Sequence, residues 1–253
     1  MHQVGIADRQ ESPQEGVQDK KRPTTVKTRI LASNQHVVRF DRENSEDINS
    51  AAEKKLLKLI FSRIDDFDAI IFQDYNKGLL TPGLIKPIIK KAKEKNIITA
   101  VDPKFKNYFD YKGTCIFKPN LREAEEILNR KISSEKDIER AGHDLIKMLK
   151  LEKLVITLSS KGMAVFDSSS KMEIIPARSA KISNVSGAGD TVIATLVSYL
   201  CAGASYKEAC TIANYAASLA VEDVSVIAID PTELEKRLKD NSVSGAENRH
   251  DSK

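Results

Sequence analysis

The chain has 253 residues, of which 41% are hydrophobic and 30% charged, enough to bury one sizeable core in what reads as a single folded unit. Lys and Arg number 40 against 36 Asp and Glu, a formal charge of +4, and the lysines are spread along several helices rather than gathered with aromatics, so nucleic-acid binding is not expected. No apolar run reaches the length of a membrane span and the N-terminus lacks the plan of a signal peptide, so a soluble, cytoplasmic protein is expected.

In chain order, residues 1–21 read as an irregular polar segment, 22–238 as the folded domain and 239–253 as a polar tail rich in Ser, Asn, Asp and Lys. Thr28 to Phe40 has strand character interrupted by polar residues, which suits a small sheet outside the main one, such as a lid. Ala69-Ile70-Ile71-Phe72 reads as a buried strand, Pro82 to Lys95 as a helix with Leu84, Ile85, Ile88 and Ile89 on one face, and Ile97 to Val101 and Thr114 to Phe117 as further strands. Helices over Leu121 to Leu128 and Glu135 to Leu149 precede the strand Leu154 to Thr157. Met163 to Phe166 and Met172 to Ile175, separated by the turn at Asp167, suggest a hairpin at the sheet edge. Helices over Ala188 to Cys201 and Tyr206 to Glu222 close the core. The βαβ rhythm predicts an α/β fold with a mostly parallel sheet and helices on both faces. Cys115, Cys201 and Cys210 show neither an even count nor metal spacing and are assigned no chemistry.

The most informative segment is Asn184 to Thr191, which places Gly187, Ala188, Gly189 and Asp190 where an apolar helix begins. Glycines permit a tight turn and close approach of a ligand, and the free N–H groups of a helix start attract an anion. A carboxylate beside a phosphate repels it as a binding group but makes sense as a general base toward an attacking hydroxyl. By spacing alone the same residues also fit a plain tight turn with a helix-stabilising first-turn carboxylate.

In parallel α/β sheets ligands bind beyond the carboxyl ends of the strands. Those ends are polar here: Gln73-Asp74-Tyr75-Asn76-Lys77-Gly78, Asp102-Pro103-Lys104, Lys118-Pro119-Asn120-Leu121-Arg122-Glu123 and Thr157-Leu158-Ser159-Ser160-Lys161-Gly162. Singly, Asp102 also fits a turn before Pro103 and Asn120 a helix cap. Together, the amides and carboxylates suit Mg²⁺ with its waters, and the lysines suit phosphate.

With these residues the chain resembles the PfkB or ribokinase-like carbohydrate kinases over about Arg22 to Leu238. Within them it is most similar to kinases of D-glycero-D-manno-heptose 7-phosphate, through Lys27-Thr28-Arg29, Asn34-Gln35, Arg39-Phe40-Asp41, Asp74 to Gly78, Asp102 to Lys104, Pro119 to Leu121 and Ser159. The resemblance implies Asp190 as catalytic base and the Gly187, Ala188 and Gly189 amides as anion hole. It implies Asn120 and Glu123 as organisers of Mg²⁺ through water, and Thr157, Ser159, Gly162 and Asn214 on the ATP side. Arg29, Asp74, Tyr75, Lys77, Asp102 and Lys104 would serve the sugar phosphate. A monovalent cation and a homodimer paired through the lid are also implied.

No Gly-x-x-x-x-Gly-Lys-Ser/Thr occurs, which excludes a P-loop kinase at the level of motif. The glycine-rich opening strand and sugar-binding region of the family have no counterpart in Met1 to Lys21, and Val221 to Ile229 lacks the family's Gly-Thr loop. With no nucleotidyltransferase segment, only the kinase step of the bifunctional heptose enzymes is expected.

Overall fold

Side chains along each strand alternate between two apolar clusters, and that alternation organises the molecule. On Lys153–Thr157, Leu154 and Ile156 lie in one cluster and Val155 in the other, as the period of two requires. The computed structural model describes residues 17, 19, 22–32, 35–167, 171–178, 187–222 and 228–247. The main sheet has six strands in the order β3 (Ala69–Gln73), β4 (Ile98–Asp102), β5 (Ile116–Phe117), β6 (Lys153–Thr157), β7 (Met163–Phe166) and β8 (Met172–Ile175), after a separate pair, β1 (Val26–Ala32) and β2 (Gln35–Arg42). Strands β3 to β6 are parallel, and β7 and β8 continue antiparallel. Among the described residues, β3 has β4 as its one strand neighbour, and Ile71 on it is 39% exposed.

Helices α1 (Ser50–Arg63), α2 (Pro82–Glu94), α3 (Leu121–Leu128) and α4 (Glu135–Leu149) bury Leu56, Leu84, Ile85, Ile127 and Leu145 on one face. On the other, α5 (Ala188–Cys201) and α6 (Tyr206–Glu222) bury Val192, Ile193, Leu196 and Ala213. Helix α7 (Pro231–Glu247) packs on α6 through Leu234 and carries the helix into the polar stretch after Leu238. The α/β architecture expected from the βαβ rhythm is the one observed.

Two local differences have physical causes. Strand β5 begins at Ile116 rather than Thr114, because the Cys115 amide donates to the Thr99 hydroxyl and the Thr114 hydroxyl to the Tyr111 carbonyl, both at 3.0 Å. Side chains there replace the ladder. Helix α1, not singled out in the sequence, is capped by Asn49, whose side-chain oxygen accepts from the Ala51 and Ala52 amides at 3.1 and 2.9 Å. The strand character of Thr28 to Phe40 resolves into the β1–β2 hairpin.

In that hairpin Ile30 faces Val38 and Thr28 faces Phe40. One face therefore carries Val26, Ile30, Val38 and Phe40, all exposed, while Lys27 belongs to the opposite face. The hairpin root is fastened by Arg22, whose Nη2 donates to the carbonyls of Asn44 at 3.1 Å and Glu46 at 2.6 Å and to that of Lys77 after β3.

Candidate functional site

The apolar side of α5 docks across β3 and β4. With Val192, Ile193, Leu196 and Val197 buried, at about 1.5–3 kcal/mol for each large side chain, the helix position is set by packing and its first turn is left for chemistry. That turn starts at Gly187, which is left-handed at φ 84° and offers no capping side chain. The Thr191 amide returns to the Gly187 carbonyl at 2.8 Å, while among the described residues no side chain caps the amides before it, as an anion site needs. Asn184, Val185 and Ser186 of the motif lie outside the described residues.

Asp190 stands on this first turn, over the ends of β3 and β4. Its Oδ1 accepts from Gln73 Nε2 at 2.9 Å and its Oδ2 from the Tyr75 hydroxyl at 3.2 Å. The same Gln73 nitrogen donates to Asp102 Oδ2 at 2.9 Å, and Asp102 Oδ1 pairs with Lys118 Nζ at 3.1 Å. Lys118 and Asp102 are both buried. The turn passes directly above them: a Cβ on Gly189 would sit 3.3 Å from Lys118 Nζ and 3.6 Å from Asp102 Oδ2. Partial desolvation, then repulsion from Asp102, raises the Asp190 carboxyl above its ordinary range, against the opposing pull of the Tyr75 hydroxyl, Lys118 and Lys104. Burial, with Asp190 next, pushes the Tyr75 hydroxyl up to about 12, so it remains a donor at neutral pH.

The other expected residues fall into three groups. Asn120 and Glu123 form a reciprocal capping box at the start of α3, with Glu123 Oε2 accepting from the Asn120 amide and Asn120 Oδ1 from the Glu123 amide, both at 2.9 Å. Glu123 also pairs with Lys104, whose ammonium is held above its usual range because the Glu123 carboxylate outweighs desolvation. Of the residues expected on the nucleotide side, Thr157 bridges to Asn120, and Ser159 and Gly162 form the β6–β7 turn with φ of 56° and 92°. A Cβ on Gly162 would stand 2.0 Å from the Ile175 carbonyl oxygen, so glycine is required there. Asn214 is buried on α6, donating to the Pro176 carbonyl at 2.8 Å.

Asp74 is not brought to the rim. Its oxygens accept from the Asn76 amide at 2.7 Å, from Asn107 at 3.0 Å and from the Tyr111 hydroxyl at 2.7 Å, and the residue is buried; here it braces the loop after β3. Lys77 pairs with Glu43 after β2. Arg29 is placed on β1 opposite Arg39, its side chain outside the described set.

Gln73 and Lys118 were missed as site residues, although both stood in the strand-end segments. The signal was the register: Gln73 is the direct β-partner of Asp102.

Among the described residues no three His, Cys, Asp or Glu side chains gather as a metal cage. Asn120 and Glu123, already bonded to each other, fit a Mg²⁺ that keeps its waters and arrives with nucleotide phosphates. The loop expected to shape a monovalent-cation site lies largely in residues 223–227, outside the described residues. No helix among the described residues is long and apolar enough to cross a membrane.

Residues 14–233 match the model of the pfkB family carbohydrate kinases. The bifunctional protein HldE of Desulfatibacillum aliphaticivorans is 36% identical over 226 residues, 89% of this chain and 46% of that protein. HldE of Wolinella succinogenes is 41% identical over 205 residues, 81% of this chain and 43% of that protein. The chain thus spans less than half the length of these relatives. Among solved structures, Arabidopsis thaliana ribokinase complexed with ribose and ATP superposes with a TM-score of 0.69 at 19% identity, covering 86% of this chain and 70% of that one. Escherichia coli phosphofructokinase-2 in complex with potassium gives a TM-score of 0.69 at 16% identity, covering 79% and 65%. These two establish a shared fold.

Proposed function

The chain belongs to the pfkB family of carbohydrate kinases, and from that premise we propose that it transfers the γ-phosphoryl group of ATP to the 1-hydroxyl of D-glycero-β-D-manno-heptose 7-phosphate. The observation that carries this reading is the placement of Asp190 on the first turn of α5, beside the Gly187–Gly189 amides and held by two donors. The narrowing to heptose 7-phosphate rests on the resemblance of Asp74 to Gly78, Asp102 to Lys104 and Pro119 to Leu121.

In this mechanism Asp190 takes the proton of the 1-hydroxyl as that oxygen attacks the γ-phosphorus. The new O–P bond forms as the bond to the β–γ bridging oxygen breaks, and ADP leaves. The amides of Gly187, Ala188 and Gly189 receive the transferred group's negative oxygens. Thr157, Ser159, Gly162 and Asn214 serve the nucleotide side, and Arg29, Tyr75, Lys77 and Lys104 the sugar phosphate, with Asp102 and Asp74 acting through the groups they hold. Mg²⁺, when bound with ATP, neutralises phosphate charge, and Asn120 and Glu123 would hold it through water.

The same reading includes cytoplasmic location and a homodimer. A two-stranded sheet is marginal by itself, and the exposed Val26, Ile30, Val38 and Phe40 face of the lid suits burial against a second copy.

The test is ATP-dependent phosphorylation of the heptose 7-phosphate by the purified chain, with ribose and fructose 6-phosphate as competing acceptors and Asp190→Asn as control. Turnover of the heptose phosphate that vanishes in the variant supports the assignment. Preference for another acceptor corrects the sugar; nucleotide binding without any turnover overturns the kinase reading.

A further inference from the structure

Two carboxylates meet at the centre of the site, and one neutral side chain separates them. Asp102 and Asp190 both accept from Gln73 Nε2 at 2.9 Å. A carboxamide nitrogen has two hydrogens, so each carboxylate receives one, and the two acceptors fix which way the amide faces. Gln73 is the last residue of β3 and pairs in register with Asp102 at the end of β4. Its own backbone position is thereby set by the sheet rather than by a loop.

We propose that Gln73 is the positioning residue of the phosphoryl-transfer site, fixing the Asp190 carboxylate on the α5 turn by anchoring it to the buried Asp102–Lys118 pair; the inference rests on Asp190 being the base. The anchor is firm because Lys118 Nζ and Asp102 are both buried and joined at 3.1 Å. Lys118 offsets part of the Asp102 charge, so the anchor repels the base less than a lone carboxylate would. Tyr75 fixes the second oxygen at 3.2 Å, but it sits on a loop and is 51% exposed, which makes it the weaker of the two restraints. Among the described residues, without Gln73 the carboxylate keeps one donor, turns about its terminal torsion, and faces Asp102 with no hydrogen between them.

The charged and titratable groups around Asp190 are Asp102 from the end of β4, Lys104 just after it, Lys118 after β5, and Tyr75 after β3 with Lys27 of β1 over its ring. Lys104 is already paired with Glu123. None of these supplies a replacement donor at Oδ1. Loss of Gln73 therefore disfavours the ionised form of Asp190 as well as misplacing it.

Gln73→Met keeps the length and volume of the side chain and removes both donors. The expected result is a fall in kcat of about 10- to 100-fold, KM for ATP and sugar phosphate within about 2-fold, and an acid limb of the pH–rate profile displaced to higher pH. A merely structural role would lower Tm without moving that limb. The Asp190 carboxyl is followed independently of turnover by carbon-13 NMR titration of aspartate-labelled protein, assigned with Asp190→Asn. A titration displaced upward in Gln73→Met supports the positioning role even if the heptose phosphate proves not to be the acceptor. An unmoved titration overturns it, whether or not the wild-type protein turns over.

Discussion

Lys27 on the lid strand β1 lies with its ammonium 5.6 Å from the centroid of the Tyr75 ring, and the hydroxyl of that ring donates to Asp190. The cation–π contact thus joins the hairpin to the proposed base through a single side chain. Tyr75→Phe keeps the ring under Lys27 and removes only the donor. The expected outcome is a loss of about 3- to 10-fold in kcat, the scale of one ordinary net hydrogen bond at a half-exposed position, with an acid limb moved upward in pH and a sugar-phosphate KM nearly unchanged. Steady-state kinetics across pH would show it.

Asp190→Asn is expected to remove about 10²–10⁴ in kcat, the usual contribution of a general base. It should also stabilise the fold at neutral pH. The Asp190 carboxyl is raised in the folded state by desolvation and by Asp102, so the folded protein favours its protonated form. Its relative stabilisation is complete below the unfolded pKa and is lost as pH rises through the folded one. At neutral pH the ionised group therefore weighs against folding, and its removal should raise Tm by about 1–3 °C, with the gain vanishing in acid. Calorimetry at two pH values decides this.

Phe40→Asp, on the apolar outer face of the hairpin, is expected to shift the protein from dimer to monomer mass in sedimentation equilibrium. A wild-type protein that is already monomeric at micromolar concentration would remove the lid-paired dimer from the proposal.

Gly162→Ala places a methyl group 2.0 Å from the Ile175 carbonyl oxygen at a φ of 92°. It should cost about 2 kcal/mol or more of stability and, under the proposed placement of ATP against the β6–β7 turn, weaken ATP binding more than sugar binding. Denaturant unfolding and separate KM values test the two halves of that expectation.

What the sequence made legible was local. The capping box of Asn120 and Glu123 spans four residues, and α3 and α4 begin where their caps place them, while α5 and α6 follow their apolar runs. The strand ends were also visible as polar breaks after apolar runs. Hidden were the relations that only folding creates. The bond from Gln73 to Asp190 crosses 117 positions of chain, and Lys118 gains meaning only when α5 lays Gly189 over it. Asp74 shows the converse: an acid beside the site in sequence, turned inward by Asn107 and Tyr111, more than thirty positions downstream. Short β5 has the same origin, since Thr99 on a neighbouring strand takes the amide that would have extended it.

Arg22 precedes the hairpin, Asn44 and Glu46 follow it, and Lys77 belongs to the loop that carries Tyr75; one guanidinium nitrogen serves all three carbonyls. Both ends of the hairpin are thereby gathered at one point on the body of the protein. The same guanidinium ties that point to the loop whose Tyr75 hydroxyl touches the Asp190 carboxylate. Hairpin, loop and carboxylate are thus joined through two side chains, Arg22 and Tyr75, rather than through the sheet.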